Sequence, residues 1–170
     1  LKARGFSGVQ NFPTVGTYTA VYRQNIESVG ISYDKEVEMV HIAHEMDLFT
    51  SPYAYTIEEA EKMTKAGADI VVAHCRGTVG GMVGVAADGI MTIDEACKKV
   101  QDIHDAVTAI NPETMVICHG GPIATPEDAA YVLSHTKGIA GFYGASSAER
   151  LPVEQAIKQQ IQAFSAIELF

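Results

Sequence analysis

The sequence predicts a parallel α/β fold made of strand–loop–helix units. Three observations lead there. Short β-branched apolar runs recur along the 170 residues; each is followed by a loop and a helical pattern; and the runs are near-continuously apolar rather than alternating, as suits parallel strands covered by helices.

The first unit is "FSGVQNF" (6–12), a strand followed by a long loop and a helix around Asp34 to Met46. The second is "LFTSPYAY" (48–55), then the helix "TIEEAEKMTKAG" (56–67). In the third, "GADIVVAHC" (67–75) leads through a glycine-rich loop to Thr92–Ile110, where Ile93, Cys97, Val100, Ile103, Val107 and Ile110 share a helical face. "TMVICHGG" (114–121) opens the fourth, whose helix has Thr125 as N-cap, Pro126 at the first helical position, acids in the first turn and Gly138 as its stop. The fifth strand is "IAGFYGASS" (139–147), and Pro152 opens a last helix with Val153, Ile157, Ile161 and Phe164 facing inward.

Five such units belong either to an open doubly wound sheet or to a (β/α)8 barrel. No GxGxxG follows a strand and no GK[ST] phosphate loop is present, so the usual nucleotide signatures of an open sheet are missing. A complete barrel takes about 250 residues. The expectation is therefore one domain, residues 1–170, forming the later part of a TIM (β/α)8 barrel, with about five of eight strands present and the first three missing. The chain starts without Met, which fits a start upstream of Leu1.

Twelve basic against 21 acidic residues give a net charge of -9, which disfavours binding to a phosphate backbone, so no nucleic-acid partner is expected. No apolar run approaches a membrane span, and no membrane partner is expected either. Cys75, Cys97 and Cys118 are odd in number and lack a CxxC pairing, the pattern of reduced thiols in a cytoplasmic protein.

In parallel α/β folds chemistry gathers at the carboxyl ends of the strands. Here those ends read Gln10-Asn11, Ser51-Pro52-Tyr53, His74-Cys75-Arg76, His119-Gly120-Gly121 and Tyr143-Gly144-Ala145-Ser146-Ser147. His74 and His119 are the sharpest candidates, because imidazole titrates near neutral pH and serves as acid, base or metal ligand. Each alone also fits a strand-end histidine bonded to nearby backbone. No carboxylate sits on an adjacent strand end, so no metal ligand is assigned in this chain.

Gly120-Gly121 can offer backbone N–H groups to an anion, and Gly144 with Ser146, Ser147 and Arg150 can do the same. Glu127 and Asp128 already occupy the helix start after Gly120-Gly121, which makes the final loop the better anion site. "RGTVGGMVGVAADGIMT" (76–92) reads as a flap over the site, long and glycine-rich beyond what a connector needs. Glu38, His41, His44 and Glu45 fall at helical spacings like a metal-binding helix, but with no facing copy they read as a solvated face. No G-x-S-x-G elbow supports Ser146, Ser147 or Cys75 as a nucleophile.

"GFSGVQNFPTVG", "EVEMVHIAHEMDLFTSPY", "AGADIVVAH", "CHGGPIATPEDAAYVL" and "GFYGASSAERLPVEQAI" together resemble the phosphoenolpyruvate hydrolase-like TIM-barrel family, over about Gly5 to Phe164. The resemblance implies a barrel of the phosphoenolpyruvate/phosphonopyruvate type acting as hydrolase or lyase on a small phosphorylated or phosphono 2-oxo acid. It implies Mg2+ as well, with ligands on early strands outside this segment. His119 and His74 would then transfer protons or polarise a carbonyl, and Asn11 would be an oxyanion-side donor. Gly120, Gly121, Tyr143, Gly144, Ser146, Ser147 and Arg150 would hold the anionic substrate.

Two positions depart from the family pattern. Where that pattern reads like "HMGLTTGG", this chain has His74-Cys75-Arg76-Gly77-Thr78-Val79-Gly80-Gly81, with an arginine beside the histidine; where it has an "IDG"-like turn after "FPTVG", this chain has Tyr18-Thr19-Ala20. The rival expectation is a non-catalytic barrel that binds a ligand or a protein. Five units leave strand edges unpaired, so self-association is expected.

Overall fold

A computed structural model of the chain describes residues 1–82, 84 and 91–168. Strands β1 (Gly8–Val9), β2 (Phe49–Thr50), β3 (Tyr53–Ala54), β4 (Ile70–His74), β5 (Met115–His119) and β6 (Gly141–Phe142) all pair in parallel. Two ladders result, β1-β2 and β3-β4-β5-β6. Around them run α1 (Ala20–Ser28), α2 (Tyr33–Glu45), α3 (Ile57–Lys65), α4 (Ile93–Ile110), α5 (Pro126–Ser134), α6 (Ser146–Glu149) and α7 (Leu151–Ser165).

The expected strand 48–55 is broken in two by Ser51-Pro52. Proline has no N–H to give a ladder. The chain bends there, so that β2 pairs with β1 and β3 pairs with β4. Among the described residues the five units thus contain six short strands.

The helices start where their side chains close the first turn. Thr92 and Thr125 each form a reciprocal capping box, with Glu95 and Asp128 respectively, and Thr56 caps α3. Helix α5 ends at Ser134, earlier than Gly138 suggests; Gly138 lies beyond it at φ 77°, against the His104 ring. The core sits between the outer face of the β3–β6 sheet and helices α2 to α5. Val71, Ala73 and Cys75 from β4 and its end meet Val116 and Cys118 from β5, under Ala96, Val100, Ile103 and Val107 of α4. Burying each such Val or Ile contributes about 1.5–3 kcal/mol. The expected α4 face holds, except that Ile110 at its end is exposed.

Two further sequence expectations fail. The long loop before Asp34 contains a 3-10 turn, Val15–Thr17, and the helix α1, which buries no residue and so shows no apolar stripe to read. The last helix does carry its stripe, but Val153, Ile157, Ile161 and Phe164 are 48–62% exposed rather than inward. Among the described residues no strand lies beyond β6 for α7 to cover, and α7 packs chiefly on α6.

Candidate functional site

Side chains alternate across a strand, so parallel register decides which residues meet. β4 and β5 pair residue for residue from Ile70↔Met115 to His74↔His119. Val71, Ala73, Val116 and Cys118 therefore point to the helices, whereas Val72, His74, Ile117 and His119 point inward. The two imidazoles end up edge to face, with centroids 4.4 Å apart.

Aromatic rings close around them. Tyr53 of β3 stacks on His119 at 5.3 Å and meets His74 edge-on at 4.8 Å. Tyr55, two residues on and on the same face, stacks on His74 at 4.4 Å. Tyr143 lies 5.5 Å from His119, and Phe12 contacts Tyr53 edge-on at 5.9 Å. Together they line a cleft of about 680 Å3, whose polar contributors include Gln10, Thr17, Arg76, Thr78, Ser146 and Glu149.

The hydrogen bonds of the two histidines differ in a way that matters chemically. His74 Nδ1 accepts the backbone N–H of Arg76 at 2.9 Å, so its ring proton is on Nε2. His119 Nδ1 faces the carbonyl oxygen of Tyr143, which only accepts, so the ring proton is on Nδ1 and Nε2 carries a lone pair. Both rings are buried and only 7% exposed. Burial pushes the His74 pKa down to about 3, helped by His119, Lys99 and Arg76. Burial also lowers His119, against the opposing pull of the Tyr143 carbonyl. At neutral pH the cleft thus holds two uncharged imidazoles in opposite tautomers: His74 offers an N–H and His119 offers a base.

Lys99, on α4, supports this arrangement from behind. Its Nζ donates to the His74 carbonyl at 2.9 Å, and burial lowers its own pKa. Nothing in the sequence pattern singles it out, since it lies outside the apolar face of α4.

The other expected residues divide. Tyr143 and Ser146 line the cleft beside the histidines. Gly144 and Ser147 sit just behind, with the Ser147 hydroxyl packed where a Cβ at Gly144 would go. Asn11 is not in the cleft. Its amide is 3% exposed, accepts the Tyr53 N–H at 2.7 Å, and donates to the Tyr53 carbonyl and the Glu36 carboxylate. It ties the end of β1 to β3 and has no N–H left for an oxyanion.

Gly120 and Gly121 make a tight turn. Their φ values are 76° and 59°, and a Cβ on either would collide at 2.3 Å with the carbonyl of Arg76 or Cys75. The Gly121 N–H is taken by the Arg76 carbonyl at 2.8 Å. Arg150 turns away from the cleft to hold the Gly80 carbonyl at 3.0 Å and Glu154 at 3.1 Å. Arg76 is the cation that lines the cleft instead.

Part of the expected flap, residues 83 and 85–90, lies outside the described residues. Glu38, His41, His44 and Glu45 lie exposed on α2, as a solvated face should. All three cysteines are buried and unbridged. Burial pushes Cys75 up to about 11 and Cys118 up to about 12, which keeps both as inert thiols at neutral pH.

Among the described residues no three His, Cys, Asp or Glu side chains are grouped to hold a metal ion. Mg2+ takes hard oxygen ligands in an octahedron. The imidazole pair with Glu149 does not supply that set, so the chemistry derived from these residues is proton transfer and orientation.

The model of a family described as phosphoenolpyruvate hydrolase-like matches residues 1–167. Among curated proteins, a tomato (Solanum lycopersicum) protein named ToMV resistance protein Tm-1(GCR237) is 52% identical over 169 residues, 99% of this chain and 22% of its own length. A Sinorhizobium fredii protein named as a transcriptional regulatory protein, y4pA, is 31% identical over 96% of this chain and 26% of its own. The chain thus spans about a quarter of the length of the curated relatives it matches. Among solved structures, phosphonopyruvate hydrolase in complex with oxalate and Mg2+ aligns over 92% of this chain and 56% of its own, with TM-score 0.53 and 15% identity. A phosphonomutase candidate from Burkholderia cenocepacia aligns over 97% of this chain and 86% of its own, with TM-score 0.52 and 10% identity. At those identities the structures establish the fold, which is that of TIM-barrel (β/α) units.

Proposed function

Because this chain belongs to the phosphoenolpyruvate hydrolase-like family, we propose that it forms the proton-transfer part of a barrel enzyme acting on a small phosphorylated or phosphono 2-oxo acid. One observation carries this reading: two neutral imidazoles of opposite tautomer face one cleft, a donor beside a base.

For a phosphono 2-oxo acid, the His119 Nε2 lone pair takes a proton from water as the water oxygen bonds to phosphorus. The C–P electron pair passes to the neighbouring carbonyl, and the resulting enolate oxygen lies against the His74 Nε2–H. Protonated His119 then returns its proton to the carbon, so phosphonopyruvate and water give pyruvate and phosphate. The solved relative bound to oxalate, a flat dicarboxylate shaped like the pyruvate enolate, supports a substrate of this class. Mg2+, present in that relative, would add charge to balance a substrate anion from outside the described residues.

The experiment is to incubate the full-length protein in D2O with phosphonopyruvate, oxaloacetate or pyruvate. Phosphorus and proton NMR then follow C–P cleavage and loss of the C3 proton signal. The expected result is turnover or exchange with one of them. Inertness toward all three, with and without Mg2+, contradicts the reading and favours a non-catalytic binding barrel. That second reading has its own support, since the tomato relative is named for virus resistance and not for an activity. Self-association belongs to the proposal too, because β1 and β6 each end a ladder among the described residues. Light scattering tests it, and a monomer contradicts it.

A further inference from the structure

Arg76 is held in a conformation that arginine seldom adopts. Its φ is 74°, in the left-handed region that favours glycine. The backbone on both sides fixes it there: its N–H donates to His74 Nδ1 at 2.9 Å, and its carbonyl accepts from Gly121 at 2.8 Å. Such conformations persist where surrounding structure over-determines them, and they concentrate at functional sites.

The consequence is where the side chain goes. The guanidinium carbon lies 5.9 Å from the centre of the Tyr55 ring, and that ring stacks on His74 at 4.4 Å. No ion pair among the described residues uses Arg76, whereas Arg150, the other arginine near the cleft, is spent on Glu154 and Gly80. Lys99, the remaining nearby cation, is turned to a backbone carbonyl.

We infer that Arg76 is the residue that selects the ligand, its guanidinium clamping the carboxylate of a 2-oxo acid so that the adjacent keto oxygen falls beside the His74 N–H. A guanidinium binds a carboxylate through two parallel N–H bonds. In a 2-oxo acid the carboxylate and the keto carbon are bonded neighbours, and Arg76 and His74 are two residues apart at one strand end. The same backbone N–H that sets the His74 tautomer belongs to the residue whose side chain takes the anion. The clamp rests on the reading under Proposed function and assigns it an orientation: carboxylate at the β4 end, the remainder of the ligand toward Tyr143 and Ser146.

Calorimetric titration of the full-length protein with phosphonopyruvate, pyruvate and inorganic phosphate tests it. Arg76→Met should weaken both 2-oxo acids about ten- to hundred-fold while leaving phosphate affinity unchanged, and Arg76→Lys should fall between. Arg76→Gly removes the side chain and suits the left-handed backbone, so it should lose the 2-oxo acids equally without lowering the melting temperature. Unchanged 2-oxo acid affinity in Arg76→Met overturns the clamp, as does an equal loss of phosphate and 2-oxo acid. If those affinities hold while His119→Gln abolishes turnover, the proposed function stands without the clamp. A wild-type protein that binds neither 2-oxo acid contradicts both.

Discussion

The ten residues of β4 and β5 are divided between two faces that do different work. On the outer face Val71, Ala73, Val116 and Cys118 are all at most 1% exposed and packed under helices. On the inner face the same strands run from Met115, 47% exposed, up to His74 and His119, which are buried among tyrosines. Alternation alone separates them. The outer face makes the fold stable, and the inner face spends some of that stability to keep two imidazoles uncharged.

That separation can be broken by mutation. The largest expected effect is on the inner face: His119→Gln should reduce turnover of an accepted 2-oxo acid about a hundred- to ten-thousand-fold, the range of a lost general base, with little change in melting temperature. Steady-state kinetics beside a melting curve checks it, and activity within a few-fold of wild type removes His119 from the chemistry. The mirror case is Ile103→Ala, which empties the outer core below the sheet. It should cost about 2–5 kcal/mol in denaturant unfolding and leave kcat per folded molecule unchanged. A catalytic loss matching the stability loss would show that the two faces are coupled.

Asn11 sharpens the boundary. It resembles a site residue by position, yet its bonds go to the Tyr53 backbone and Glu36. Asn11→Ala should therefore cost about 1–3 kcal/mol of stability by stranding those buried groups, and spare kcat, which loss of an oxyanion donor would lower.

The remaining effect is graded with pH. His74 has a folded pKa of about 3 against an ordinary 6.5, so between those values the unfolded chain binds a proton that the folded one does not. Stability should be fully present above 6.5 and fall as pH drops toward 3, by about 1.4 kcal/mol per pH unit. His119, also lowered by burial, adds in the same direction. Urea titrations from pH 7 to 4 would show the slope, and His74→Gln should flatten it.

Much of the fold is legible because strand-end polarity and apolar runs are local features. The pairing of His74 with His119 follows from two strands of equal length ending in histidine. Tyr53 reads as a strand-end residue and Tyr55 only as part of the apolar run after it. Their i, i+2 spacing puts them on one face, a signal that needed the register with β4 to become visible. The misplacement of Arg150 has a local cause as well: Glu154 stands four residues on, the spacing of a helical ion pair, and it captures the guanidinium. Arg76 stands out in the sequence as a departure from the family pattern, but its φ depends on Gly121 from the next unit. The tautomers were beyond reach, because each is set by a backbone group that folding brings to Nδ1. Helix α7 misled for the opposite reason: its stripe is real, and what a stripe faces is not written in its spacing.

The central claim is that the cleft holds a neutral donor and a neutral base. Nitrogen-15 NMR of the histidine rings at pH 7, assigned with His74→Gln and His119→Gln, reads this directly from the shifts and couplings of each ring nitrogen. The expected spectrum has His74 protonated on Nε2, His119 protonated on Nδ1, and neither charged. The same tautomer in both rings, or an imidazolium at either, would contradict it.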